Sequence, residues 1–273
     1  MLCWLNGHFI PHDQASIPVS DRGFLLGDGI FDTLLIEAGK PQFLDYHIKR
    51  IKDHAQKLGL SLPDAFEDIR DIISTLCIRN RDLGNTLSLR TTLTRGQGPR
   101  GLAPPVTEDP ALLLTMSKAP DRQKMMPLSL IISQKTRRND YSPLSRLKTL
   151  NYGDEVLAIQ EAKNKGADNA ILLNTRDELT CATNGNIYIQ LDGNWLTPPL
   201  SSGVLNGTIR QKLLEEKIVQ EARVLYSDLN DISAMAYSNA LTGIIPVAAL
   251  EQKKMDSEAF RSCFGDRDWA LED

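Results

Sequence analysis

Cysteine is scarce and scattered in this chain: Cys3, Cys77, Cys181 and Cys263 are all there are, with no CxxC pair and no cysteine–histidine cluster. That excludes a thiolate zinc site and argues against a disulfide framework, so a reducing, cytoplasmic setting is expected. His8, His12, His47 and His54 form no metal motif, and no metal is expected. The first two, in HFIPH, flank Pro11 and read as surface positions near a turn. No apolar run approaches the ~18 residues of a membrane span. The opening MLCWLNGHFIPHD has neither the basic start nor the long apolar core of a secretory signal, so no membrane partner is expected. Surplus positive charge is also missing: 35 acidic residues face 31 basic ones, for a net charge of −4. The densest basic run, QKTRR at 134–138, is short and isolated, which argues against a nucleic-acid partner. There is no internal repeat and no low-complexity segment.

What is present is the composition of an ordinary globular protein, 41% hydrophobic and 24% charged, over 273 residues. That is room for two domains. CWLNGHFI sets Asn6-Gly7 between two apolar runs and predicts a hairpin. IFDTLLIEAGKPQFL predicts a second, turning at Ala38-Gly39-Lys40. A helix follows over DYHIKRIKDHAQKLGL, where Ile48, Ile51, Ala55 and Leu58 recur at helical spacing. Another opens at Pro63-Asp64, and NTLSLRTTLTRG and PALLLTMS read as strands. SKAPDRQKMMP (117–127) is polar and without periodicity, the best interdomain linker. Beyond it, LSLIIS and NAILLN read as strands around a helix at 152–164, and ELTCATNGNIYIQLDGNWLTPPL as hairpins turning at Asp192-Gly193. GTIRQKLLEEKI is a short helix, AMAYSNALTGIIPVAAL a strand–turn–strand, and SEAFRSCFGDR a last helix. The expected organisation is two α+β domains with antiparallel or mixed sheet, residues 1–116 and 128–273, joined by 117–127.

Four local features bear on chemistry. SDRGFLLGDGIFDT holds Gly23, Gly27 and Gly29, but it lacks the GK[ST] of a P-loop and leads into a strand, so it reads as a turn. Gly207 stands directly before a helix whose first amides, on Thr208 and Ile209, form a ready anion site, as any helix end does. TRGQGPRG carries Arg95 and Arg100 on a loop that could offer a guanidinium to a carboxylate. Lys148, ahead of the 152–164 helix, has no neighbour in sequence that marks it as more than surface charge.

Taken in order, DRGFLLGDGIFDT, HIKR, RGQGPRG, LKTLNY, NGNIYI, TPPL with GVLNGTIR, and SNALTGIIPV resemble the fold-type IV pyridoxal 5'-phosphate enzymes. These are the class IV aminotransferase family: branched-chain and D-amino-acid aminotransferases and 4-amino-4-deoxychorismate lyases. The resemblance spans essentially the whole chain. It implies the two-domain fold of the D-amino-acid aminotransferases, with pyridoxal phosphate held between the domains and a homodimer burying the sites near its interface. It implies that Lys148 forms the Schiff base and shuttles the proton. Arg50 would pair with the cofactor phosphate, joined by the amides of Thr208 and Ile209 after Gly207. Leu205 would pack on the pyridine ring, and Asn239 and Ala240 would close the other side of the phosphate site. Arg100 would take a substrate carboxylate, and Phe31 would line the substrate pocket. Such a lysine must be neutral to react, so desolvation or a nearby cation has to lower its pKa.

Within the family the residues lean toward the lyase. SNAL at 238–241 resembles lyase sequences, whereas transaminases more often carry serine and threonine there. RGQGPRG and GVLNGTIRQ lean the same way. Such a lyase eliminates pyruvate from 4-amino-4-deoxychorismate to give 4-aminobenzoate, a folate precursor. D-amino-acid or branched-chain transamination is the alternative. Cys181 stands where nearly all relatives place the glutamate that protonates the pyridine nitrogen, and Glu178 lies three residues too early to replace it. A thiol is a weak hydrogen-bond partner, so this position also admits a non-catalytic relative with a binding or regulatory role. Leu102 replaces a histidine or tyrosine, and Thr208-Ile209 inverts the usual isoleucine–threonine order.

Overall fold

The computed structural model describes residues 1–265 and 268–271. It divides into two compact units, one spanning Met1–Pro120 with Lys148–Asn151, the other Asp121–Leu147 with Tyr152–Leu271.

Among its described residues, the first unit builds one antiparallel sheet from β1 (Leu2–Leu5), β2 (His8–Pro11), β3 (Gly29–Glu37), β4 (Lys40–Pro41), β5 (Thr86–Thr94) and β6 (Ala111–Lys118), in the order β2-β1-β6-β5-β3-β4. The two predicted turns hold because their residues accept left-handed backbone: φ is 46° and 96° at Asn6 and Gly7, and 49° and 78° at Ala38 and Gly39. Along β3, Ile30, Leu34 and Ile36 face α2 (Leu44–Leu58) and α3 (Ile69–Arg79), joining Ile51, Ala55, Ile73 and Leu76 in the core. The helix α2 ends at Gly59 (φ 63°), whose N–H returns to the carbonyls of Ala55 and Gln56. The glycine-rich stretch expected as a plain turn contains a short helix, α1 (Arg22–Leu26). Its cap is Asp21, whose carboxylate accepts from the N–H groups of Gly23 and Phe24. Lys148–Asn151 lie against β3: Phe31 N–H donates to the Lys148 carbonyl (2.9 Å) and Leu150 N–H to that of Gly29 (3.1 Å).

The second unit runs β7 (Leu128–Ile132), α4 (Gly153–Asn164), β8 (Asn169–Leu173), β9 (Leu179–Ala182), β10 (Gly185–Leu191) and β11 (Asn194–Thr197). It continues with α5 (Thr208–Glu215), β12 (Gln220–Glu221), β13 (Ala234–Asn239), β14 (Gly243–Leu250), β15 (Lys253–Lys254) and α6 (Ser257–Phe264). Its sheet is mixed, with β7 parallel to both β8 and β14. Because β9 pairs with both β8 and β10, the strands β10-β13-β14-β7-β8-β9 close on themselves. Closure removes the edges these six strands would otherwise leave, while β11 and β12 continue from β10 and β15 from β14. Alternation then sorts the side chains. Leu130 and Ile132 join Ile171, Ile187, Met235 and Val247 in one core, while Ile131 turns out to meet Ala158 and Ala162 of α4. The last predicted helix is present as α6; residues 266 and 267 of that reading lie outside the described residues.

Candidate active site

Asp32 shares the helix-facing side of β3 with Ile30, Leu34 and Ile36, so a carboxylate there must find partners or be neutral. It finds four contacts, one of them the backbone N–H of Thr33 (2.7 Å). Arg50 donates from Nε to Oδ2 and from Nη2 to Oδ1, both at 2.7 Å, and His47 Nδ1 lies 2.7 Å from Oδ1. Burial alone would raise the Asp32 carboxyl, but the Arg50 charge and the hydrogen bonds from Arg50 and His47 outweigh it and hold the group far below the usual carboxylate range. Burial likewise pushes His47 down, against the pull of Asp32, so the imidazole is neutral with its proton on Nδ1 facing the carboxylate. Arg50, the predicted phosphate ligand, is thereby locked by a two-point carboxylate clamp on the inner face of α2. His47, Arg50 and His54 fall on one stripe of that helix, all buried.

In the same unit, Lys148 Nζ stands 4.4 Å from the centre of the Phe31 ring, and the Arg90 guanidinium lies 3.7 Å from that centre. The predicted lysine and the predicted pocket residue Phe31 thus meet, with a second cation on the same ring. The lysine's N–H donates to His54 Nδ1 at 3.0 Å. Of the two loop arginines, Arg95 is buried and engages Asp28 and Glu108, carboxylates of its own unit, so it is not offered outward. Arg100 is exposed, and so is Leu102.

The second unit holds the other predicted residues. Cys181 lies in β9 between β8 and β10, opposite Leu172 and Asn186. Burial raises its thiol, against the lowering pull of Arg138, so it is a neutral S–H at neutral pH. Arg138 itself is held by Glu155, by the Ser145 carbonyl and by that of Gly203 (3.2 Å). Glu178 is engaged elsewhere: Asn174 Nδ2, Ser202 Oγ and Arg176 all donate to it. Burial would raise its carboxyl, but these donors outweigh that and bring it to about 2.

At the start of α5, Gly207 is the N-cap and no side chain caps the helix. A Cβ here would collide with Asn186 Oδ1, which explains the glycine by close approach rather than by φ. Asn186 Nδ2 in turn donates to the Leu205 carbonyl (2.9 Å), fixing the turn. Thr208 is 2% exposed, and its Oγ1 has no hydrogen-bond partner among the described residues. A buried hydroxyl without a partner costs about 1–3 kcal/mol, so its presence beside a helix N-terminus fits an anion such as a phosphate monoester. Ile209 is buried beside it. Asn239 Oδ1 accepts from Leu241 N–H and Thr242 N–H, shaping the turn that carries Ala240, while its Nδ2 donates to Tyr237 Oη (2.7 Å).

Sequence reasoning passed over Asp32, His47, His54 and Arg138. The signal for the first three was available: a carboxylate on the apolar parity of a strand, and a polar stripe at helical spacing on α2. Arg138 stood only in the basic run QKTRR, where nothing separates a buried guanidinium from solvated ones.

The profile of the amino-transferase class IV family matches residues 29–250. A protein of Methanocaldococcus jannaschii, provisionally named as a branched-chain-amino-acid aminotransferase, is 30% identical over 267 residues, covering 94% of this chain and 91% of that one. The D-alanine aminotransferase of Bacillus licheniformis is 28% identical over 273 residues, covering 93% and 90%. Among solved structures, the 4-amino-4-deoxychorismate lyase of Pseudomonas aeruginosa superposes with a TM-score of 0.81 at 28% identity, over 96% of this chain and 97% of that one. The chain therefore belongs to the class IV aminotransferase family, with the fold-type IV architecture and the pyridoxal 5'-phosphate dependence of that family.

Proposed function

We propose that this chain is an aminodeoxychorismate lyase, releasing pyruvate from 4-amino-4-deoxychorismate and leaving 4-aminobenzoate, and that it works as a homodimer. The observation that carries the choice is Cys181, a buried neutral thiol within the field of the Arg138 guanidinium. Such a pair gives the cofactor's ring nitrogen no anion to keep it protonated. Transamination needs a ring that would hold the electron pair freed with the substrate's proton until that proton is returned on the cofactor side, which a neutral ring nitrogen would disfavour. An elimination that makes the substrate's own ring aromatic can place those electrons in the substrate. Glu178, held by Asn174, Ser202 and Arg176, is no substitute. The exposed Phe24 and Leu25 of α1 support a covering second copy.

When bound, pyridoxal phosphate supplies an aldehyde for the substrate amine and a ring that withdraws electrons. Arg50, oriented by Asp32, the amides of Thr208 and Ile209, and the Thr208 hydroxyl would hold the phosphate. Gly207 would let the backbone approach and Leu205 would pack on the ring, while the turn that Asn239 shapes at Ala240 would close the site. Lys148 Nζ removes the proton from the carbon bearing the substrate amine. The bond between the adjacent carbon and the ether oxygen then breaks, and the departing enol takes up a proton to become pyruvate. Arg100 and Phe31 position the substrate.

An aminotransferase is the second reading, favoured by the names of the relatives from Methanocaldococcus jannaschii and Bacillus licheniformis. Absorption spectra with added pyridoxal phosphate, for the wild type beside Lys148→Ala, come first. A visible band present only in the wild type and bleached by borohydride upholds the lysine. A colourless wild type would instead favour a binding or regulatory relative. Release of pyruvate and 4-aminobenzoate is then measured against amino-group exchange with D-alanine and branched-chain amino acids. Exchange without release would refute the lyase.

A further inference from the structure

The backbone of Lys148 is fixed at both polar groups. Its carbonyl accepts from Phe31 N–H of β3 (2.9 Å), and its N–H donates to the imidazole of His54 on α2 (3.0 Å). These two anchors aim a four-carbon side chain so that Nζ lands over the Phe31 ring at 4.4 Å. A lysine hung from a loose loop would have to order both its backbone and its rotamers for each turnover. We propose that His54 is a positioning residue for Lys148, holding the backbone from which the reactive amine projects. The proposal rests on the reading of Lys148 as the lysine that joins the cofactor.

The direction of the hydrogen bond sets the state of the ring. A backbone N–H can only donate, so His54 Nδ1 must keep its lone pair, and the neutral imidazole carries its proton on Nε2. The surroundings enforce that state. Burial comes first, with His54 only 6% exposed; the cations Arg50 and Lys57 add to it, against Asp32 and Asp53, and the pKa falls to about 4. The anchor is therefore intact throughout the neutral range.

The test compares His54→Leu, which fills the space without an acceptor, with His54→Asn, whose Oδ1 stands where Nδ1 stood. Two quantities are read: deuterium exchange at the Lys148 amide, on peptides spanning 147–150, and borohydride trapping of pyridoxal phosphate across a titration. The leucine variant is expected to exchange about tenfold faster or more and to bind about tenfold more weakly, while the asparagine variant stays within about twofold of wild type in both. A space-filling role predicts the reverse order, leucine tolerated and asparagine not, and that result overturns the proposal. Should the leucine variant not fold, the asparagine variant decides: wild-type protection upholds the anchor, and tenfold loss overturns it. Failure of the lysine assignment looks different. Lys148→Ala would then trap as much cofactor as wild type, while amide exchange in the His54 variants would still report the hydrogen bond.

Discussion

Replacing Asp32 with asparagine should be among the most destabilising isosteric changes in the first unit. The carboxylate is 3% exposed, faces the apolar core side of β3, and receives two hydrogen bonds from Arg50 and one from His47, each 2.7 Å. Asparagine keeps the volume but removes the charge, so the Arg50 guanidinium is left in the interior beside a neutral amide, one of whose ends is itself a donor. Breaking a buried ion pair from one side costs about 3–5 kcal/mol. Taking the lower figure, about 3 kcal/mol lowers the Tm of a chain this size by roughly 6–12 °C. Calorimetry and urea unfolding of the cofactor-free protein measure the loss, and a cycle with Arg50→Gln isolates the pair. The double variant Asp32→Asn/Arg50→Gln should be more stable than the sum of the singles predicts, by about 2 kcal/mol, because removing both charges leaves none stranded. A single variant melting within about 2 °C of wild type, or strict additivity in the cycle, would refute the account of Asp32 as the clamp on Arg50.

Thr208→Val should leave the cofactor-free protein as stable as wild type or slightly more so, since Oγ1 has no partner among the described residues to lose. The same variant should weaken pyridoxal phosphate binding about tenfold, the worth of a hydrogen bond to a charged group, without affecting pyridoxal lacking the phosphate; equal loss for both ligands would count against a phosphate contact. Glu178 has a folded pKa of about 2 against an ordinary 4.5, so its contribution is present above pH 4.5 and is lost as pH falls toward 2. Glu178→Gln should therefore lose up to roughly 3 kcal/mol at pH 7, with the gap to wild type closing on acidification in urea unfolding curves. A constant gap across that range would show that the charge is not what matters. Cys181→Glu should raise amino-group exchange while changing lyase turnover little. A large gain in lyase rate with no exchange activity would contradict the reasoning that separates the two chemistries at this position.

The parts of the fold legible from sequence are those set by local chemistry. Asn6-Gly7, Ala38-Gly39 and Asp192-Gly193 turn hairpins because left-handed backbone is accessible at those pairs. The α2 helix follows from Ile48, Ile51, Ala55 and Leu58, and α5 from the glycine before it. Family motifs reach further and suggest roles for residues with no local signature, with Lys148 the clearest case. Some readings were altered by partners distant in sequence. Arg95, read as a loop cation free to meet a ligand, is taken by Asp28 and Glu108.

The amino-acid sequence by itself determined the family, the cofactor and the order of the elements, because turn residues, periodicity and motif order act over a few positions. Only the tertiary structure decided that Asp32 clamps Arg50, that Cys181 lies within the field of Arg138, and that His54 holds Lys148 across a separation of 94 residues. Those contacts depend on which faces the sheets and helices turn toward each other. A side chain's charge state and reach are set by the neighbours that packing brings, and no local pattern names them.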